Sequence, residues 1–157
     1  MKEIAVVLHN IRSVHNVGSI FRTADAAGVK KVYLCGITPT PLDKFGRLRK
    51  DFIKVSLGAE KSVAWEKTGS TSRILEKLKK EGYGIFAVEQ ARNSVPYHKL
   101  RTKNRKLVLV LGNEVNGLPP SILTRADKVL EIPMRGKKES LNVAVAFGIA
   151  VYGLLYN

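Results

Sequence analysis

The chain has 157 residues, 45% of them hydrophobic, which is enough for one domain with an ordinary buried core. Its 27 Lys and Arg against 13 Asp and Glu give a net charge of +14, which predicts a polyanionic partner, nucleic acid before a membrane surface. An intrachain disulfide and a membrane span are excluded, because there is one cysteine, Cys35, and no apolar run of about eighteen residues.

Short, continuous, β-branched apolar runs recur along the chain and are typical of strands buried on both faces of a parallel sheet. Because Met1 leads directly into the first run, we expect no signal peptide. Together with the single cysteine, this favours a cytoplasmic location. The predicted strands are Ile4–Leu8, Val32–Leu34, Ile85–Val88, Leu107–Leu111 and Val129–Ile132.

Helical spacing and helix-end residues between these runs predict four helical segments. They are Val17–Ala27 with Asn16 as N-cap, Ser72–Gly82, a short turn after Pro119–Pro120, and Leu141–Leu155 with Ser140 as N-cap. Strands that alternate with helices indicate an α/β fold, a mostly parallel sheet flanked by helices. We expect a single domain over residues 1–157, without a separate substrate-binding extension.

Two long irregular segments, Gly36–Leu57 and Glu89–Arg105, contain or adjoin the clustered positive charge, and long loops in compact domains are commonly functional. The clusters are Lys44, Arg47, Arg49, Lys50 and Lys54, and Lys99, Arg101, Lys103, Arg105 and Lys106. Few aromatic residues lie among them (Phe45, Phe52 and Tyr97), so contact with backbone phosphates is favoured over a base-stacking platform.

Three motifs combine polar residues with strand ends or helix starts, where α/β proteins hold ligands. They are Asn16 followed by Arg22, then Leu111-Gly112-Asn113-Glu114 with Gly117, then Ile132-Pro133-Met134 with Ser140-Leu141-Asn142. Simpler interpretations stay open: Arg22 is a surface residue paired with Asp25, and Ser140 is only a helix cap.

Other site chemistries are poorly supported by the sequence. The Lys-Ser/Thr of a phosphate-binding loop, the dinucleotide GxGxxG and the hydrolase GxSxG are all absent. The three histidines, His9, His15 and His98, have no ligand spacing, so no metal site is expected.

The three motifs, in this order and separation from Asn10 to Ala146, resemble the SpoU (TrmH-like) branch of the SPOUT RNA methyltransferases. The resemblance implies a deep C-terminal trefoil knot, S-adenosylmethionine as cofactor, a homodimer, and methylation of a ribose 2′-hydroxyl in RNA. It implies a polar active-site set of Asn16, Arg22, Glu114, Ser140 and Asn142. It implies a cofactor pocket that draws on Val88, Glu89, Leu111, Gly112, Ile132, Met134, Ser140 and Leu141. His15 departs from the commonest first motif, which bears on substrate choice.

In this family the first-motif arginine, here Arg22, is proposed to accept the hydroxyl proton. Since a guanidinium holds its proton tightly, we favour a clamp on phosphate and hydroxyl. Glu114 is expected to orient Asn16 or backbone rather than act as a base.

A tRNA substrate is favoured, because a domain without an extension must bind a compact RNA through its own basic surface, and rRNA is the alternative. A non-catalytic RNA-binding module would share the charge without needing Arg22, Glu114 and Asn142 together. An enzyme acting on a small nucleotide would leave the charge of +14 unexplained.

Overall fold

The computed structural model describes residues 1–157 and contains one seven-stranded sheet in the order β3-β2-β1-β6-β4-β7-β5, with every strand pair parallel. The strands are β1 (Glu3–His9), β2 (Lys31–Cys35), β3 (Ala64–Thr68), β4 (Gly84–Val88), β5 (Val95–Pro96), β6 (Lys106–Leu111) and β7 (Lys128–Glu131). The predicted α/β class with a parallel sheet is confirmed.

Six helices surround the sheet, and a 3-10 turn covers Tyr97–Lys99. They are α1 (Val14–Ala26), α2 (Lys50–Ser56), α3 (Ala59–Ser62), α4 (Thr71–Lys80), α5 (Pro120–Leu123) and α6 (Val143–Tyr156). None of them combines the length and the apolar character needed to cross a bilayer.

Burial on both faces of the sheet explains why the strand sequences are continuously apolar. In β1, Ile4, Val6 and Leu8 belong to the core that includes α1 and α6. The intervening Ala5 and Val7 belong to the core that includes α4 and α5. The central strands therefore have no solvent-facing side, and the single cysteine, Cys35, is buried in the second of these cores.

Two predicted helix caps were wrong. Helix α1 is capped by Ser13, whose hydroxyl accepts from the Asn16 backbone N–H (3.1 Å), so Asn16 lies inside the helix. Helix α6 begins at Val143 and is capped by Asn142, whose side-chain oxygen accepts from Ala144 N (2.9 Å) and Val145 N (3.3 Å). Ser140 lies before the helix and makes no cap.

Two strands and two helices had no counterpart among the predictions: β3, β5, α2 and α3. Helix α2 lies within the segment predicted to be irregular, and its Phe52 is fully buried with its ring edge-on to Phe21 at 5.1 Å. Gly18 of α1 permits this packing, because a Cβ there would lie 3.1 Å from Val55 Cβ.

The trefoil knot predicted for the C-terminal end stays a prediction. The segment between β7 and α6 does run against the loop that follows β4, since Gln90 Nε2 donates to the Glu139 carbonyl (2.6 Å). This contact holds the segment of the third motif against the β4 loop at the carboxyl edge of the sheet.

Candidate cofactor and RNA site

A cavity of about 470 Å³ lies at the carboxyl ends of β4, β6 and β7. Carboxyl ends of adjacent parallel strands are the usual ligand position in such sheets. All eight residues predicted for the cofactor pocket line it: Val88, Glu89, Leu111, Gly112, Ile132, Met134, Ser140 and Leu141. Its volume lies within the range of small-molecule sites, about 300–1,000 Å³.

The loop after β6 closes tightly on one side of the cavity. A Cβ on Gly112 would lie 2.5 Å from the Gly117 carbonyl carbon, so the two backbone segments touch. The Asn113 side chain holds the turn between them, accepting from Val115 N and Asn116 N (2.9 Å each) and donating to the Asn10 carbonyl (2.8 Å). Any side chain at position 112 would push this loop out of place.

The carboxylate of Glu89 is occupied by the chain itself. It accepts from the backbone N–H of Gln90 (2.9 Å) and of Leu118 (3.0 Å). It also lies where a Cβ on Gly117 would be, because that Cβ would come 2.2 Å from Glu89 Oε2. Glu89 therefore braces the wall of the cavity, and its carboxylate is not a free base.

Glu114 binds the start of helix α1. Its carboxylate accepts from Arg12 N (3.1 and 3.0 Å to its two oxygens), from Ser13 N (3.0 Å) and from Asn16 Nδ2 (3.3 Å). Burial alone would raise the pKa of Glu114, but the backbone N–H groups of Arg12 and Ser13 outweigh it and hold the pKa below the ordinary value. The carboxylate is thus kept ionised and already coordinated.

A chain of hydrogen bonds joins the three motifs. Asn142 Nδ2 donates to Asn16 Oδ1 (3.0 Å), and Asn16 Nδ2 donates to Glu114 Oε1. Asn16 is buried although it is polar, and both ends of its amide are used. These three predicted site residues are therefore brought together at the cavity rim, with Ser140 beside them.

Arg22 is the predicted site residue that lies elsewhere. It is exposed on α1, in an open depression shared with His15, Lys54 and Tyr152, and it does not line the cavity. No ion pair with Asp25 forms; Asp25 accepts instead from the Ser62 hydroxyl (2.6 Å). Arg22 therefore keeps its charge available on the surface of α1, the helix that also carries Asn16 of the cavity rim.

Several cavity residues were missed by the sequence predictions, among them Gln90, Asn113, Leu130, Val143 and Ala146. Gln90 and Asn113 carried a usable signal, because each is polar and follows the end of a buried strand. The apolar ones carried none, since they are indistinguishable in sequence from core residues. No group of three or more His, Cys, Asp or Glu side chains is arranged to hold a metal ion.

The lining suits a nucleoside-like cofactor. Apolar side chains from strand ends can enclose a purine ring, and backbone groups of the β6–α5 and β7–α6 loops can bond to its polar edges. The cavity offers amides and backbone groups and no unengaged carboxylate. S-adenosylmethionine, with an adenosine and a zwitterionic tail, fits this donor and acceptor set.

Residues 3–152 match the SpoU rRNA Methylase family. The chain is 34% identical over 151 residues to a tRNA (guanosine(18)-2′-O)-methyltransferase of Aquifex aeolicus, covering 96% of this chain and 68% of that protein. It spans little more than half (56%) of putative TrmH family tRNA/rRNA methyltransferases of staphylococci, at 31% identity for the Staphylococcus haemolyticus protein.

Two solved structures have the same fold. One is an AdoMet-bound rRNA methyltransferase from Sinorhizobium meliloti, with a TM-score of 0.86, 30% identity and coverage of 96% of this chain and 55% of that one. The other concerns the 2-OH methylation of C/U34 on tRNA, with a TM-score of 0.79 and 29% identity, and covers 99% of both chains.

Proposed function

Since the chain belongs to the SpoU rRNA Methylase family, as its motifs predicted, we propose that it transfers a methyl group from S-adenosylmethionine to a ribose 2′-hydroxyl of RNA, with tRNA as the substrate. The observation that carries this is the cavity at the strand ends, whose rim joins Asn16, Glu114 and Asn142 from three separate motifs. A cytoplasmic location, where tRNA is found, is part of the proposal.

Bound in the cavity, S-adenosylmethionine would supply an electrophilic methyl group on a sulfonium. The chain must then hold the 2′-hydroxyl in line with that methyl group and allow its proton to leave. Glu89 and Glu114 are both engaged with backbone N–H groups, so neither is available as the proton acceptor. Their role is to fix the loops around the reacting atoms.

We propose that Arg22 binds the ribose hydroxyl and its neighbouring phosphate. It is a charged, exposed donor without a carboxylate partner, which suits a phosphate clamp. Because it lies outside the cavity of its own chain, we propose that it acts at the cavity of a second subunit. This also makes the homodimer part of the proposed function.

The surface around Arg22 supports a homodimer. Helix α6 has no charged residue, and it exposes Val145, Tyr152 and Tyr156, spaced to share one face. Tyr152 and Leu57, which is 62% exposed, border the same depression as Arg22. An apolar helix face of this kind marks a protein interface, and a two-fold pair would use it twice.

The two basic clusters divide between opposite edges of the sheet. Residues Arg105 and Lys106 lead into β6 at its amino end, where Lys106 pairs with Glu3 of β1. The cavity is at the carboxyl end, about 20 Å away along a six-residue strand. The Lys44–Lys54 cluster follows β2 at the carboxyl edge. We therefore assign it to the RNA near the reacting nucleotide.

Transfer of tritiated methyl groups tests the proposal. Purified protein with labelled S-adenosylmethionine should label unmodified tRNA, and digestion should recover the label as a 2′-O-methylnucleoside. A DNA strand with the sequence of the labelled region lacks the 2′-hydroxyl and should take none. Label on a base, or none in any RNA, would contradict the proposed reaction. Label in rRNA alone would assign the reaction to the alternative substrate.

A further inference from the structure

The segment between β2 and α2 contains a well-formed turn at the carboxyl edge of the sheet, here called the basic turn (residues 41–49). Arg49 N donates to the Pro41 carbonyl and Asp43 N to the Arg47 carbonyl, both at 2.8 Å. Leu42 and Leu48 pair as an antiparallel bridge between them. The basic turn is therefore a small hairpin with a defined shape before any partner binds.

Phe45 stands at the tip of the basic turn with 69% of its surface exposed. Its position is fixed by Asp43, whose carboxylate accepts from Phe45 N (2.8 Å) and Arg47 N (3.0 Å). Gly46 completes the turn at a φ of +77°, a left-handed conformation that suits glycine. The ring of Phe45 is therefore exposed to solvent on a turn whose conformation is fixed by hydrogen bonds.

Two cations flank the ring. Lys44 Nζ is 5.1 Å from the ring centroid, and Arg47 Cζ is 5.5 Å from it. Neither makes an ion pair with an acidic side chain. An exposed aromatic ring with uncompensated cations over it offers both elements of a site for single-stranded nucleic acid, because the ring can stack on a base when the cations turn to the phosphates.

The segment that leads from β2 into the basic turn is joined to the wall of the cavity. The residue that follows β2, Gly36, packs against Asn10, because a Cβ there would lie 1.9 Å from Asn10 Oδ1. Ile37 N donates to that same oxygen (3.1 Å), and the Asn10 carbonyl accepts from Asn113 of the cavity loop. The basic turn and the cavity therefore lie on the same edge of the sheet, linked through Asn10.

We propose that Phe45 stacks on an unpaired base of the bound RNA, next to the nucleotide that is methylated, while Lys44 and Arg47 bind the adjoining phosphates. The assignment rests on the proposed function, which supplies RNA as the partner. It differs from the expectation from sequence, which favoured contact with backbone phosphates over a stacking platform. The other aromatic of this cluster, Phe52, is buried and takes no part.

Binding to a fluorescently labelled single-stranded RNA of about 20 nucleotides, and to the same strand annealed to its complement, tests the proposal. Phe45→Ala and Phe45→Leu should each weaken single-strand binding about tenfold, and Phe45→Trp should stay within about twofold of the wild type. Duplex binding should not change for any variant, because paired bases are not accessible for stacking. Phe45→Leu is the matched control for apolar contact alone.

Four outcomes would overturn the stacking role. They are unchanged single-strand binding by Phe45→Ala, an equal loss on single strand and duplex, full binding by Phe45→Leu, and a changed oligomeric state of Phe45→Ala in sedimentation. The last would identify the ring as a contact between copies of the chain.

Methylation by the wild type separates the two proposals. Active wild type with unaffected Phe45 variants removes only the stacking role. Inactive wild type with the expected binding losses removes only the proposed reaction.

Discussion

The cavity rim and the Arg22 depression are built on the same helix and differ in how complete they are. At the rim, Asn16 has both ends of its amide bonded within the chain, to Asn142 and Glu114. Across the helix surface, Arg22 is exposed with no acidic partner, beside an apolar face of α6. In the proposed dimer, one chain therefore builds the cofactor half of a site and the partner chain supplies the Arg22 half.

From this difference we infer that the rim residues stabilise the fold as well as the site, whereas Arg22 serves the reaction alone. Hydrogen bonds within the chain hold the rim residues, so their loss should affect unfolding as well as activity. The Arg22 side chain holds nothing in its own chain, so its loss should affect activity alone. Variants at the two places distinguish these roles.

The largest effect is expected for Arg22→Ala. Methyl transfer should fall by about 100-fold or more, because the hydroxyl and phosphate lose their clamp, while S-adenosylmethionine affinity and unfolding midpoint stay at wild-type values. Arg73→Ala removes the same charge from an exposed site on α4 and should keep full activity. Radiolabelled methyl transfer and calorimetric cofactor titration measure the two quantities. Wild-type turnover by Arg22→Ala would remove Arg22 from the site.

Mixing variants then tests whether Arg22 acts across a dimer. Gly112→Val closes the cavity of its own chain but keeps Arg22. When it is combined with Arg22→Ala, each mixed dimer has one intact composite site, so about a quarter of wild-type activity should return. No recovery, with mixed dimers verified by a tag on one variant, would place Arg22 at its own chain's cavity.

A moderate effect on stability is expected at the start of α6. Asn142→Ala should lower the free energy of unfolding by about 1 kcal/mol or more, because it removes the helix cap and the bond to Asn16. Ser140→Ala should change it by less than about 0.5 kcal/mol, since Ser140 caps nothing. Urea unfolding followed by circular dichroism measures both. Equal losses would mean that Ser140 shares the capping role.

The smallest effect is expected for Glu114→Gln and depends on pH. The folded state lowers the pKa of Glu114 below its ordinary 4.5, so the ionised carboxylate stabilises the fold fully above that value. This contribution is lost as pH falls through the lower folded-state pKa, and the wild type and variant should then converge.

Thermal unfolding of Glu114→Gln from neutral to acidic pH measures the convergence. Glu81→Gln is the control, because its carboxylate makes no hydrogen bond in the fold and its curve should follow the wild type throughout. A difference between wild type and Glu114→Gln that does not depend on pH would mean that the charge is not what holds the α1 start.

The strands and the position of the cavity were predictable because they follow from single sequence runs. Buried parallel strands must be apolar throughout, as in Leu107–Leu111, and polar residues directly after them must lie at the sheet's carboxyl edge. Strand β3, with Glu66 and Lys67 at a sheet edge, breaks that rule and gave no signal.

The N-caps of α1 and α6 were not predictable, because the sequence offers two acceptable candidates at the start of each helix. Ser140 and Asn142 are both good N-cap residues. The choice is made by Asn16, which accepts from Asn142 and lies far away in the sequence. Arg22 is different: six residues after Asn16 is about one and two-thirds turns, so the two side chains had to point to different sides of α1. The different positions of Asn16 and Arg22 could therefore have been predicted from their spacing in the sequence.

The hydrogen bonds at the rim also determine when the site can first exist. Glu114 and Asn16 are 98 residues apart, and Asn142 and Asn16 are 126 residues apart. During synthesis, the rim cannot close until Asn142 has left the ribosome, although β1 and α1 are made first. Contacts of such long range slow folding, because the chain must lose loop entropy before they form. The nascent chain therefore has no complete rim until Asn142 is in place.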